Sequence, residues 1–136
     1  MKVFVDASGW VPMEMPRDQW RPDLDRVMAM LRQERRLKLV TTNWTMYEAL
    51  AIARRRAGDA AQRLHAVIAI RANVVAVPAL AEAEALRRFL RWSDLGASVV
   101  DHANVIIAER ERCDAILSFD RDFVPLAAAA GLRILR

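Results

Sequence analysis

"AILSFDRDF" (residues 115–123) is an apolar run that stops at two aspartates separated by an arginine. Near the start of the chain "KVFVDAS" (residues 2–8) repeats the pattern, with strand-like residues and then an acid. A short apolar run closed by polar residues reads as a fully buried strand. In an open parallel sheet ligands gather beyond the carboxyl ends of the strands. If the two strands are neighbours, Asp6 and Asp120 bring two carboxylates to one edge of a sheet.

The rest of the chain supplies such a sheet. After "KVFV", the stretch "SGWVPMEMPRDQWRPD" reads as a short helical piece and loop, interrupted by its prolines. Leu24, Val27, Met28 and Leu31 follow the i, i+3, i+4, i+7 spacing and predict a helix over about Pro22 to Leu37. "KLVT" (38–41) reads as a second strand. Helices follow over 43–56 and 59–71, divided at Gly58. "NVVAVP" (73–78) is strand-like up to Pro78, helices fit 79–91 and 99–112, and "DAILSF" and "LRIL" read as the last two strands. Strands alternating with helices predict a three-layer α/β/α sandwich around a mostly parallel sheet of about five strands. With no linker, repeat or shift in composition, residues 1–136 read as one domain.

Composition narrows the class. At 54% hydrophobic and 28% charged residues the chain is globular and not disordered. No apolar run approaches the roughly 18 residues of a membrane span. Cys113 is alone, which excludes an internal disulfide and a cysteine-rich zinc site. With no export leader ahead of the first strand, the expectation is a cytoplasmic protein. The net charge of +4 comes almost wholly from arginine, Lys2 and Lys38 being the lysines. Arginine suits phosphate through its planar fork, although an Ala- and Arg-rich composition also follows from genomic bias.

Two further acids extend the pair. Glu48 lies early in the helix after the second strand, and Asp101 in the first turn of the helix before the strand that ends at Asp120. Each acid has a local explanation as well. Asp6 suits an Asx turn. Glu48 stands three residues after Thr45 and Asp101 three after Ser98, as capping-box partners would. Asp120 could cap the short helix that begins near Asp122. A shared site accounts for all four at once: clustered carboxylates repel one another unless protonated or bridged by a cation. An oxygen-loving ion such as Mg²⁺ or Mn²⁺ fits such a donor set and promotes hydrolysis of a phosphodiester. Asp122, beyond the turn, reads as a cap or a solvated residue outside the site, and Phe123 as the pin of that turn.

Other α/β classes lack their signatures here. There is no G-x-G-x-x-G after the first strand, no G-x-x-x-x-G-K-[ST] and no G-x-S-x-G. Ser8 stands where a haloacid-dehalogenase-like phosphatase needs a second aspartate, and no lysine follows Lys38 to serve a receiver domain. His65 and His102 are read as structural or surface residues and not ligands. The tryptophans read as core or interface anchors, and "ARRRA" (53–57) as a solvated helix face.

In order along the chain, "VDAS", "VTTNWTMYEAL", "DLGASVVD" and "LSFDRDF" resemble the motifs of the PIN-domain ribonucleases, most closely the VapC-type toxins of toxin–antitoxin pairs. The resemblance spans nearly the whole chain; the Trp- and Pro-containing stretch from Trp10 to Pro22 is its least typical part. It implies that Asp6, Glu48, Asp101 and Asp120 ligate Mg²⁺ or Mn²⁺ and carry catalysis. Ser8 and Thr42 would orient carboxylates or water, and Asp94 and Ser98 belong to the matched D-x-x-x-S-x-x-D pattern. It further implies an RNA substrate, a homodimer and a small cognate antitoxin. A stand-alone PIN ribonuclease of RNA maturation, or a binding module that has lost catalysis, are the alternatives.

Overall fold

A computed structural model describes residues 1–93 and 96–136. Its sheet has five strands in the order β3-β2-β1-β4-β5: β1 (Lys2–Val5), β2 (Lys38–Thr42), β3 (Ala72–Val75), β4 (Ala115–Leu117) and β5 (Arg133–Leu135). Every pairing is parallel. β1 lies at the centre, in register with β2 on one side (Phe4 opposite Val40) and with β4 on the other (Phe4 opposite Ile116). Chain order moves outward from β1 in both directions, so the topological switch point falls at the carboxyl end of β1.

Alternation along the strands builds the two cores. Val3, Val5, Leu39, Ala115 and Leu117 face one side, where they meet α1 (Ala7–Trp10), α2 (Arg21–Leu31), α3 (Asn43–Arg56) and α4 (Ala60–Arg71) through Trp10, Leu24, Leu31, Ala53 and Leu64. Phe4, Val40 and Ile116 face the other, against α5 (Ala79–Arg91), α6 (Val99–Arg110) and α7 (Phe123–Ala129) through Ala81, Ala85, Ile107 and Phe123. Side chains two apart share a face of a strand. A strand buried on both faces therefore reads as a continuous apolar run, as "KVFV" does.

Several boundaries differ from the spacing-based expectation. The helix expected over Pro22 to Leu37 ends at Leu31. Residues 32–36 are all polar and exposed, so a further turn would bury nothing, and the chain turns toward β2 instead. The third strand begins at Ala72, directly after α4, and stops at Val75, short of Pro78. α6 ends at Arg110, two residues early, where Arg112 takes a left-handed φ of 54° to redirect the chain into β4. That strand keeps only Ala115–Leu117 in the ladder, which frees Ser118, Phe119 and Asp120 to form the rim.

Gly9 is required by close approach. A Cβ there would lie 3.0 Å from Val5 Cγ1 and 3.1 Å from the Leu117 carbonyl oxygen. Its absence lets α1 settle across the ends of β1 and β4. Among the described residues no helix is long and apolar enough to cross a membrane.

Candidate active site

A pocket of about 230 Å³ opens at the carboxyl end of β1, and Asp6, Ser8, Glu48, Asp101 and Asp120 all line it. Four separate elements carry the acids there: the end of β1, the second turn of α3, the first turn of α6 and the loop after β4. A neighbouring recess is larger, about 600 Å³, but Asp18 is its sole carboxylate among Met15, Pro16, Arg17, Gln19 and Arg56. Chemistry, not size, singles out the smaller pocket.

Asp6 is buried, only 4% exposed. Its Oδ2 accepts from the Ser8 backbone N–H (3.2 Å), the Ser8 hydroxyl (2.8 Å) and the Ser118 hydroxyl (3.1 Å). Burial raises its pKa, with those hydrogen bonds acting in the opposite direction. The two serines also organise the opposite wall: the Phe119 N–H donates to Ser8 Oγ (2.9 Å) and the Asp120 N–H to Ser118 Oγ (3.2 Å). Ser8 thus stands beside the carboxylate it was expected to orient. Ser118, the serine of "LSFD", belongs to the site although the spacing of the acids does not mark it.

The local explanations and the shared pocket prove compatible for Asp6 and Asp101. Asp6 is the N-cap of α1. Asp101 forms a capping box with Ser98: the Ser98 N–H donates to Asp101 Oδ2 at 2.7 Å and the Asp101 N–H to Ser98 Oγ at 3.1 Å. Asp120 Oδ1 accepts from the Asp122 N–H at 2.9 Å in an Asx turn, but the N-cap of α7 is Asp122, so Asp120 orders the turn before the helix and does not cap it. The local reading of Glu48 also fails. The cap of α3 is Thr42, which accepts from the Thr45 N–H at 3.1 Å, so the capping-box reading of Glu48 fails. Among the described residues the Glu48 carboxylate makes no hydrogen bond or ion pair, although it faces the pocket of the other three acids.

Charge is concentrated as a result. Partial desolvation and then the charges of Asp6, Asp101 and Asp120 push Glu48 up to about 7. Asp101 is pushed up to about 6, by burial first and by the charges of Asp6 and Asp120 further, against its hydrogen bonds to Ser98. The donor set is all oxygen, and its repulsion is of the kind a hard cation relieves. As they stand, however, no three His, Cys, Asp or Glu side chains among the described residues are arranged to hold a metal ion.

Thr42 does not reach an acid. Its hydroxyl donates to Asn104 Oδ1 (3.0 Å), as does that of Thr45 (2.7 Å), tying the start of α3 to α6 in a fully buried knot. Asn104 carried no signal in the sequence beyond its place one turn after Asp101. Asp94 lies outside the described residues. Asp122 is not among the pocket residues; its carboxylate lies against Gly96. His102 is buried between the rings of Phe89 and Trp92, and His65 is exposed on α4. A fifth acid, Asp18, does line the pocket, but it accepts from the Trp20 N–H (2.8 Å) and is paired with Arg56, which balances its charge. It sits in an irregular stretch where no spacing pointed to it.

No family model matches the chain, and no curated protein does. Solved structures do. The fold is similar to that of VapC20 from Mycobacterium tuberculosis, a toxin that cleaves the sarcin–ricin loop, with 25% identity over 96% of this chain and 95% of that one and a TM-score of 0.81. It is also similar to VapBC2 from Rickettsia felis bound to a fragment of its promoter DNA (9% identity, 98% and 97% covered, TM-score 0.69). FitAcB from Neisseria gonorrhoeae is a third (13% identity, 98% and 96% covered, TM-score 0.63). The five-stranded parallel sheet and the helices on both its faces accord with these likenesses. In fold the chain is similar to these VapC and FitAcB proteins over nearly its whole length.

Proposed function

We propose that the protein is an endoribonuclease dependent on Mg²⁺ or Mn²⁺, the toxin of a toxin–antitoxin pair. One observation carries the reading: Asp6, Glu48, Asp101 and Asp120 converge on a single pocket at the switch point, and Glu48 has no structural duty there. The likeness to VapC20, a toxin that cleaves an RNA loop, supports RNA as the substrate. The likeness to VapBC2 supports a small antitoxin as partner. A homodimer accords with the resemblance carried by the sequence motifs.

The four carboxylates would hold the cation, which lowers the pKa of bound water and offsets charge on the phosphodiester. What the chain's own residues do follows from the geometry. Ser8 and Ser118 fix the rotamer of Asp6 by binding one of its oxygens. Ser98 does the same for Asp101 and the Asp122 N–H for Asp120, so each of the three keeps a second oxygen for a ligand. Glu48 has no such bond among the described residues, and burial and the neighbouring carboxylates push it up to about 7. It is suited to hold or release a proton at the pocket mouth in the free protein.

The test is cleavage of RNA by purified protein with added Mg²⁺ or Mn²⁺, with chelator and with Asp6→Asn. Metal-dependent cleavage that disappears in Asp6→Asn is the expected result. Equal cleavage by wild type and Asp6→Asn would sink the assignment of these acids. A stand-alone ribonuclease is separated from a toxin by expression: growth arrest relieved by an adjacent small open reading frame marks the toxin.

A further inference from the structure

Next to the acidic pocket, on the far side of Trp20, lies a second recess of about 350 Å³ lined by Trp20, Arg26, Phe119, Arg121, Arg136 and Asp23. Trp20 lines both cavities and forms the ridge between them. Its indole stacks on the Phe119 ring, with centroids 5.4 Å apart and planes 6° from parallel. The turn after β4 then divides its charges: Asp120 faces the acidic pocket and Arg121 the recess.

The sign of the recess is the reverse of the pocket's. Arg121 and Arg136 are exposed, and neither has a carboxylate within ion-pair distance among the described residues. Arg26 is shared with Asp23 at 2.8 Å. Arginines beside a planar aromatic ridge provide what a single nucleic-acid strand needs, a cationic track for phosphates and a π-face for a base. A duplex keeps its bases stacked and offers the ridge no free base face. The stretch from Trp10 to Pro22, the part of the chain least like the family's pattern, supplies the ridge.

We propose that this recess is a subsite for single-stranded RNA flanking the bond to be cleaved: a base packs against Trp20, and the adjoining phosphates lie on Arg121 and Arg136. The proposal rests on the nuclease reading in taking RNA as the strand, and it adds where that strand leaves the acidic pocket. Trp20 and the two arginines bind substrate and take no part in the chemistry.

Binding without cleavage tests it. The full chain in chelator is titrated with a fluorescein-labelled single-stranded oligoribonucleotide of about eight nucleotides, and anisotropy is read across a salt series. Arg121→Ala with Arg136→Ala weakens binding roughly tenfold and reduces the slope of log K against log salt by about 1–2. Trp20→Leu keeps an apolar partner for Phe119, weakens binding about fivefold or more and leaves the slope unchanged. Arg91→Ala on α5, in the opposite layer, changes neither. The subsite is overturned if the double arginine variant keeps wild-type affinity and slope, or if a duplex of the same sequence binds as tightly as the single strand. Failure of the nuclease reading shows differently: wild type would bind the strand, with these same losses in the variants, yet cleave no RNA with added metal.

Discussion

Asp6 and Ser118 are 112 residues apart in the chain and 3.1 Å apart in space, with the serine hydroxyl donating to the buried carboxylate. The parallel pairing of β1 with β4 makes this contact, since the Asp6 N–H itself donates to the Leu117 carbonyl at 3.1 Å. Ser118→Ala therefore leaves the sheet intact but loosens Asp6. The expected loss is about 10–100-fold in metal affinity or activity and about 1 kcal/mol in stability. Metal titration by calorimetry and a melting curve check the two separately.

Glu48→Gln separates function from stability. Glu48 makes no hydrogen bond or ion pair among the described residues, so its neutral isostere removes repulsion with Asp6, Asp101 and Asp120 and no attraction. Cleavage falls at least about a hundredfold by the scale of a lost acid–base or ligand group, while the melting temperature in chelator at pH 8 stays level or rises. A clear drop in that temperature would show that Glu48 holds the fold together after all.

Asp101 has two duties. Asp101→Ala removes both the pocket charge and half of the capping box, so it loses activity and about 1 kcal/mol. Asp101→Asn keeps an acceptor for the Ser98 N–H and recovers most of the stability without the activity. Paired melting and cleavage assays on the two variants check the split.

Stability in chelator depends on pH in a definite direction. Glu48 and Asp101 titrate at about 7 and about 6 in the folded chain, above their ordinary values of 4.5 and 3.8. The folded state therefore holds more protons than the unfolded state between those limits, and stability drops as pH rises through that window. Their contribution is fully present below about pH 4 and gone above about pH 7. The difference between wild type and the Glu48→Gln/Asp101→Asn double variant isolates it. Wild type loses about 3 °C in melting temperature relative to that variant from pH 5 to pH 8, and added Mn²⁺ removes most of the difference.

Gly9→Ala places a methyl group 3.0 Å from Val5 Cγ1 and 3.1 Å from the Leu117 carbonyl. Backbone cannot yield as a side chain would, so the cost is about 1–3 kcal/mol. Urea unfolding measures it, and an unchanged midpoint would mean that α1 can lift away from the sheet.

The alternation of elements was legible in the sequence because buried strands and amphipathic helices write their periods locally: "KVFV", "KLVT" and the "AIL" of "AILSF" lie where strands form. Boundaries were less so. The helix that was expected to reach Leu37 stops at Leu31, because a run of exposed polar residues follows and carries no packing. The acids were visible as polar residues ending apolar runs or opening helices. Thr42 shows the limit, since its place beside the acids in the pattern did not reveal that its hydroxyl turns to Asn104.

By itself the sequence determined the order of strands and helices and which acids fall at strand ends and helix starts, since those are short-range properties of spacing and burial. The tertiary structure alone decided that β1 pairs with β4, that Ser118 reaches Asp6, that Asp18 enters the pocket neutralised by Arg56, and that Trp20 divides an acidic cavity from a basic one. These contacts join residues up to 112 positions apart. Long-range pairing and packing select such partners, and no local period records them.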